Sequence, residues 1–160
     1  RKNIEYAASC GRTLDRSLII GVLHNQAVVH QYNGATDKAS RYVEAIIYNL
    51  RMFLDAPESK AIQSALERRS ASSASFTSFQ PDISLIRVML TKKYELAVYY
   101  LQFSGLNSQN QMHRESLQNA RKSLSIMTEL SRLCYICQPF LPKGIISSRT
   151  LLSELGGLAH

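Results

Sequence analysis

The chain has 160 residues, of which 45% are apolar, so it is long enough to bury a sizeable core and too apolar to be disordered throughout. Glycine and proline contribute 7 and 4 residues, which excludes collagen-like and low-complexity compositions. The 19 basic and 12 acidic side chains give a net charge of +7, which favours acidic partners. The longest clean apolar run, residues 18–23, falls far short of the about 20 residues of a membrane-spanning helix, so we predict no such span.

Helical periodicity dominates the sequence, and no segment alternates apolar and polar residues as a strand would, so we predict an all-α fold. A short first segment ends at Cys10-Gly11. In chain order, we then predict helices at residues 14–32, 37–54, 57–69, 81–103 and 107–137, and a last short one between residues 148 and 156.

Small and polar residues mark the predicted helix ends. Gly34 suits the left-handed conformation that often follows a helix C-terminus. Thr36 is placed to cap the second helix, and Asp55 begins a sequence that resembles a capping box for the third. Ser104-Gly105 is predicted to end the fourth helix, because both residues have low helix propensity.

Apolar side chains recur every three or four residues along three of these helices, which places them on one helix face. The stripe of the second helix comprises Ala39, Val43, Ile46, Leu50 and Phe53. The stripe of the fourth helix comprises Ile83, Ile86, Leu90, Tyr94, Ala97 and Leu101. The stripe of the fifth helix comprises Leu117, Ala120, Leu124, Met127, Ser131 and Cys134. We expect these stripes to pack in the core, or, on the fifth helix, against another copy of the chain.

Residues 70–80 are rich in Ser and Thr and carry no charge, so we predict a loop there. The loop divides a first helical hairpin region, residues 1–69, from a second one, residues 81–160. Two arginines precede Ser70 and Ser72, a context that basophilic kinases favour. Both serines are therefore candidate phosphorylation sites, where phosphate would offset the local positive charge.

Residues 23–50 resemble a tetratricopeptide repeat, a family that pairs two helices in about 34 residues. Ala27 and Ala39 match the small residues where the helices touch, and Gly34 falls at the turn between them. The surrounding larger positions are taken by Leu23, His30, Val43 and Ile46. A looser second copy lies within residues 94–130. The resemblance implies antiparallel helical hairpins stacked as a solenoid, and a helical bundle is the alternative. Leu23 departs from the family, which usually has Trp there.

The resemblance also implies a protein-binding scaffold whose first helices line a concave groove for a peptide or helix. The groove-facing candidates that it implies are Asn25, Gln26, Val29, His30, Lys93 and Tyr100. In that reading the Asn and Lys side chains would hold a peptide backbone or carboxylate.

Sequence motifs of catalysis are missing, since no P-loop, dinucleotide fingerprint or nucleophile elbow occurs, and we predict no enzyme and no cofactor. His24 and His30 are six residues apart and point to different helix faces, so we predict no metal site. Cys134 and Cys137 form a lone CxxC at a predicted helix end. We interpret them as buried structural cysteines, with zinc shared across a dimer or redox activity as the alternatives.

The three cysteines are too few, and odd in number, for a disulfide-stapled secreted module. We therefore expect an intracellular, cytoplasmic protein. Because the chain begins with Arg1 rather than Met, we expect it to be a fragment of a larger protein, a trimmed chain or a processed chain. Residues 59–122 carry nine basic and four acidic side chains, so we expect an acidic protein partner. A homo-oligomer or a cytoskeletal assembly is the alternative. Nucleic acid is disfavoured, because stacking aromatics and a known binding module are missing.

Overall fold

The structure, a computed structural model, describes residues 16–71 and 83–137. Within these ranges it consists of the helices α1 (Arg16–Tyr32), α2 (Thr36–Leu54), α3 (Pro57–Ala71), α4 (Ile83–Gln109) and α5 (His113–Cys137). No strand occurs in the described ranges, and the predicted all-α fold is confirmed there. The predicted first segment and the predicted last helix lie outside the described residues.

The predicted ends of the first two helices agree with the structure. α1 ends at Tyr32 and α2 at Leu54, as the periodicity indicates. Gly34 has a φ of +72°, the left-handed conformation that glycine adopts without steric cost. It lets the chain leave α1 and begin α2 within three residues.

The predicted break at Ser104-Gly105 is wrong, because α4 continues to Gln109 and α5 begins only at His113. Packing outweighs the low helix propensity at this point. Ser104 Oγ donates a hydrogen bond to the backbone oxygen of Ser116 at 2.8 Å. The two residues after Gly105, Leu106 and Asn107, are buried.

The actual turn between α4 and α5 contains Gln111 with a φ of 62°, which is unfavourable for a residue with a Cβ. We expect Gln111→Gly to raise the free energy of unfolding by about 0.5 to 1 kcal/mol, since glycine relieves this strain. Urea denaturation measures the change. Gln118→Gly, at an exposed position inside α5, is the control and is expected to lower stability by about 1 kcal/mol. If both variants changed the free energy of unfolding in the same direction, the strain at Gln111 would be contradicted.

Thr36 connects α2 to this turn. The N-cap residue of α2 is Ala35, which makes no side-chain capping bond, so the predicted cap by Thr36 is wrong. Thr36 Oγ1 instead donates to Asn110 Oδ1, and Asn110 Nδ2 donates to Ser40 Oγ at 3.3 Å. The start of α2 is thus held to the α4–α5 turn. Asp55, predicted to cap α3, forms an ion pair with Lys60 at 3.2 Å.

Two clusters of buried apolar side chains form the core of the described helices. The first joins α1, α2 and α4 and comprises Ile20, Ala27, Ala39, Val43, Ile46, Ile47, Leu50, Leu96, Tyr100 and Leu106. The second joins α3, α4 and α5 and comprises Ile62, Leu66, Ile86, Met89, Leu90, Leu130, Leu133 and Cys137. The predicted stripe of the second helix is confirmed, since four of its five members belong to the first cluster.

The predicted stripe of α5 does not form the buried core face of this helix, whereas its packing against another copy of the chain stays a prediction. Leu117 and Leu124 are 54% and 69% exposed, and Ser131 is exposed as well. The buried face of α5 instead carries Asn119, Ser123, Leu130, Leu133 and Cys137. Ser123 Oγ donates to the backbone oxygen of Ala97 at 2.7 Å, so its burial is compensated. Small polar residues therefore take core positions where α5 meets α4, and hydrophobicity alone selects the wrong face.

Contacts between α4 and α5 follow a regular order. Ser104 lies beside Ser116, Ala97 beside Ser123, and Lys93 beside Glu129. Residue numbers therefore fall along α4 as they rise along α5.

Candidate functional site

The four candidates on α1 divide between its two faces. Asn25, Gln26 and Val29 are exposed. His30 is half-buried, and its ring stacks on that of Tyr42 with centroids 5.4 Å apart and planes at 10°. Asn25, Gln26 and Val29 are thus open to a partner, whereas His30 contributes to the packing of α1 on α2.

Lys93 and Tyr100, the two candidates on α4, are both buried. The ammonium of Lys93 forms an ion pair with Glu129 on α5. Gln63 Nε2 on α3 donates to the same carboxylate at 2.7 Å. Glu129 therefore joins three helices, and the Lys93 ammonium is committed to this carboxylate rather than presented to a peptide.

Tyr100 forms part of the floor of an open groove between α2, α4 and α5. The groove has a volume of about 360 Å³. We call it the basic groove and define it by Arg51, Leu96, Tyr100, Lys122, Ser125 and Ile126. The Lys122 ammonium lies 5.4 Å from the centre of the Tyr100 ring, within the range of a cation–π interaction.

Charge in the basic groove has one sign. Arg51 and Lys122 are exposed and stand on α2 and α5, on either side of a floor that α4 supplies. None of the described residues that line it is acidic. The groove can therefore attract a carboxylate at each edge while apolar side chains pack against Leu96 and Ile126.

The outer face of α5 continues from the groove at Ser125. Its surface is formed by Arg121, Leu124, Ser125, Thr128, Glu129 and Arg132. Arg132 pairs with Glu67 on α3 at 3.3 Å, and Glu129 is engaged by Lys93. Arg121 therefore adds to the positive charge beside the groove.

The sequence indicated only part of this site. Of the residues that line the groove, Tyr100 alone is among the candidates that the resemblance to tetratricopeptide repeats implies. Lys122 and Ser125 lie one turn apart on α5, and helical spacing alone could have grouped them. Arg51 comes from a different helix, more than 70 residues from Lys122, and only tertiary packing brings the two together. The resemblance implies a groove lined by the first helix of each hairpin. The basic groove differs, because Arg51 of α2 and three residues of α5 line it as well.

Cys134 and Cys137, at the end of α5, carry no disulfide bond among the described residues. Cys137 is buried in the second cluster, and burial raises the pKa of the half-buried Cys134 thiol. A raised pKa lowers the thiolate fraction at neutral pH and so reduces nucleophilicity. Both cysteines thus have the environment of structural rather than reactive residues.

A polar contact joins α1 and α4. His24 Nδ1 lies 3.1 Å from the hydroxyl of Tyr99. The pKa of Tyr99 is raised by burial and by the nearby Glu95 carboxylate, so this hydroxyl stays protonated at neutral pH. In residues 16–71 and 83–137, no three His, Cys, Asp or Glu side chains meet in a way that could hold a metal ion.

Ser70 and Ser72 fall at the edge of what the structure describes. α3 extends to Ala71, so Ser70 lies in the last turn of a helix, where a loop was predicted. Ser72 lies outside the described residues, as does the rest of the Ser-rich segment.

No protein-family model matches the sequence, and neither the curated proteins nor the solved structures give a match. The resemblance to tetratricopeptide repeats accordingly stays a prediction. Among the described helices, none joins the length to the apolar character that crossing a lipid bilayer requires.

Proposed function

We propose that this chain is a non-catalytic scaffold that binds an acidic peptide or helix of another protein in the basic groove. The observation that carries the proposal is the pairing of two exposed cations, Arg51 and Lys122, across an apolar floor that no acidic residue lines among the described ones. An amphipathic helix with carboxylates beside its apolar stripe is complementary to both features.

Each part of the groove has a distinct role in this proposal. Arg51 offers a planar guanidinium that can bind a carboxylate through two hydrogen bonds. Lys122, held over the Tyr100 ring, supplies a second positive charge from the opposite side. Leu96 and Ile126 add a small apolar contact at the floor, since Leu96 is almost completely buried and Ile126 only partly exposed, while the charges favour acidic partners and speed association.

We further propose that the helices form antiparallel hairpins of a tetratricopeptide-like solenoid within a larger intracellular, cytoplasmic protein. The small residues Ala27 and Ala39 support this, because both are fully buried in the first cluster, as close helix packing requires. The opposite order of contacts along α4 and α5 supports it as well.

The test uses labelled amphipathic helical peptides in two matched sets, one with Glu and one with Lys beside the same apolar stripe. We expect the Glu set to bind, with an affinity that falls as salt rises, and the Lys set to bind at least about tenfold more weakly. Fluorescence anisotropy with the full chain measures both. Equal binding of the two sets would contradict the proposal.

Charge-reversal variants locate the binding surface. We expect Arg51→Glu with Lys122→Glu to weaken binding of the Glu set by about tenfold or more. The control is Lys38→Glu with Arg41→Glu, which makes the same change in net charge at exposed positions of α2 outside the groove. It is expected to change binding by about threefold or less. If both pairs weaken binding equally, the effect is one of total charge and the groove is not the site.

A structural assembly module is the second candidate function. The exposure of Leu117, Leu124 and Tyr135 on the outer face of α5 favours it, because large apolar side chains there remain open to a second copy or a cytoskeletal lattice.

A further inference from the structure

α1 is apolar on two opposite faces. Ile20 and Ala27 are buried against the rest of the domain, with Leu23 packed beside them. The opposite face carries Leu18, Val22, Asn25, Val29 and Tyr32, which we call the α1 seam. All four of its apolar members are more than half exposed, and Tyr32 is 92% exposed. A helix that is apolar all round is normally covered on both sides.

The α1 seam has the spacing of a coiled coil. Its members are separated by four, three, four and three residues, which is the heptad pattern of positions d, a, d, a and d. Val22 and Val29 then occupy both a positions, and Leu18 the first d position. Valine at a with leucine at d favours association of two parallel helices, and the seam has valine at both a positions and leucine at one of its three d positions. Ala27, which is fully buried, takes position f, directly opposite the seam.

Charge does not oppose contact between two copies along the α1 seam. Residues 17–32 contain no Asp, Glu, Lys or Arg. The chain as a whole carries +7, so two copies repel one another over most of their surface. The α1 seam is an apolar strip where two copies can meet without bringing like charges together or burying an unpaired one.

Asn25 adds a device for register. It lies at the centre of the seam, and in a parallel pair, whose two-fold axis runs along the helices, it faces its counterpart in the second copy. A carboxamide both donates and accepts hydrogen bonds, and two of them can satisfy each other. A single polar residue at position a fixes register and partner number at a cost in stability, and we expect Asn25 at the central d position to impose a similar constraint.

We infer that α1 is a homodimerisation helix, which pairs with α1 of a second copy through the α1 seam. The seam is short, since 17 residues of helix span about 25 Å, and it lies at the small end of specific interfaces. The dimer is accordingly weak, with a Kd on the order of 10 µM. No residue of α1 lines the basic groove, so this pairing is independent of the proposed function.

Sedimentation velocity of the full chain, from about 1 to about 200 µM, tests the inference across the Kd range expected. We expect a monomer–dimer equilibrium. Val22→Glu with Val29→Glu places two carboxylates in the seam and is expected to raise the Kd by about 100-fold or more. Leu117→Glu with Leu124→Glu is the matched control, because it places the same charges on exposed apolar positions of α5 and is expected to leave the Kd unchanged. Circular dichroism confirms that both variants fold.

Asn25→Leu tests the seam by a gain of affinity. Loss of folding would not produce a tighter monomer–dimer equilibrium. Replacing the central amide with an apolar side chain is expected to lower the Kd by about tenfold. A wild-type chain that stays monomeric at every concentration overturns the inference and leaves another protein, or residues 1–15, as the cover of the seam. Dissociation by the α5 pair but not by the α1 pair also overturns it and assigns assembly to α5. An unchanged Kd for Asn25→Leu would show that the α1 seam does not lie in the dimer interface, and it also overturns the inference.

Discussion

Replacing Ile46 with alanine is expected to lower the free energy of unfolding by about 3 kcal/mol. Ile46 is fully buried at the centre of the first cluster, where α2 lies between α1 and α4. The substitution removes three carbon atoms from a site that is packed on both sides, so the cavity cannot collapse easily. Urea denaturation at 25 °C, followed by circular dichroism, measures the change.

Tyr48→Ala provides the comparison for Ile46→Ala. Tyr48 lies on the same helix two residues away and is exposed. Its removal is expected to cost about 0.5 kcal/mol or less, because it contributes little buried surface. Similar losses at the two positions would mean that α2 is not sandwiched as the structure shows it.

Glu129→Gln is expected to lower the free energy of unfolding by about 2 kcal/mol. The variant leaves Lys93, which is buried, without an anionic partner, and an unpaired buried charge is costly. The expected loss is below that of a fully buried pair, because the Glu129 side chain is about one-third exposed.

Lys93→Met is expected to cost less than Glu129→Gln, at about 1 kcal/mol or below. Methionine fills the buried space of Lys93 without a charge, while Glu129 keeps its bond from Gln63 and its contact with water. In the Lys93→Met background, Glu129→Gln should then have almost no effect. A double-mutant cycle by urea denaturation measures this coupling, and additive losses would show that the pair contributes nothing.

Local patterns in the sequence predicted the helices and the orientation of α2. The stripe from Ala39 to Leu50 is almost purely apolar, so periodicity and burial agree. Gly34 correctly predicted the turn between α1 and α2, because the left-handed conformation there is a local requirement. Features of this kind depend on residues within one or two helical turns.

The orientation of α5 and the α4–α5 turn depend on tertiary contacts instead. Ser123 and Asn119 are polar, yet they are buried where α5 meets α4, and the leucines that a hydrophobic pattern selects point outward. Ser104 and Gly105 form a weak helical stretch that contact with α5 stabilises. The sequence alone does not reveal which polar residues will find a partner across a helix interface.

The candidate site shows the same division. Resemblance to a repeat family selected Tyr100, but it also selected Lys93, whose charge is used within the domain. Arg51 and Lys122 are ordinary surface cations when considered along the chain. They become a site only because α2 and α5 pack on either side of α4.

The length of α4 affects how the described helices lose their structure. At 27 residues, or about 40 Å, it supplies side chains to both buried clusters: Ile86, Met89 and Leu90 to one, and Leu96, Tyr100 and Leu106 to the other. Melting either cluster uncovers half of this helix and removes support from the remaining half. The two halves of the domain therefore share one cooperative unit of unfolding, with α4 as its common spine.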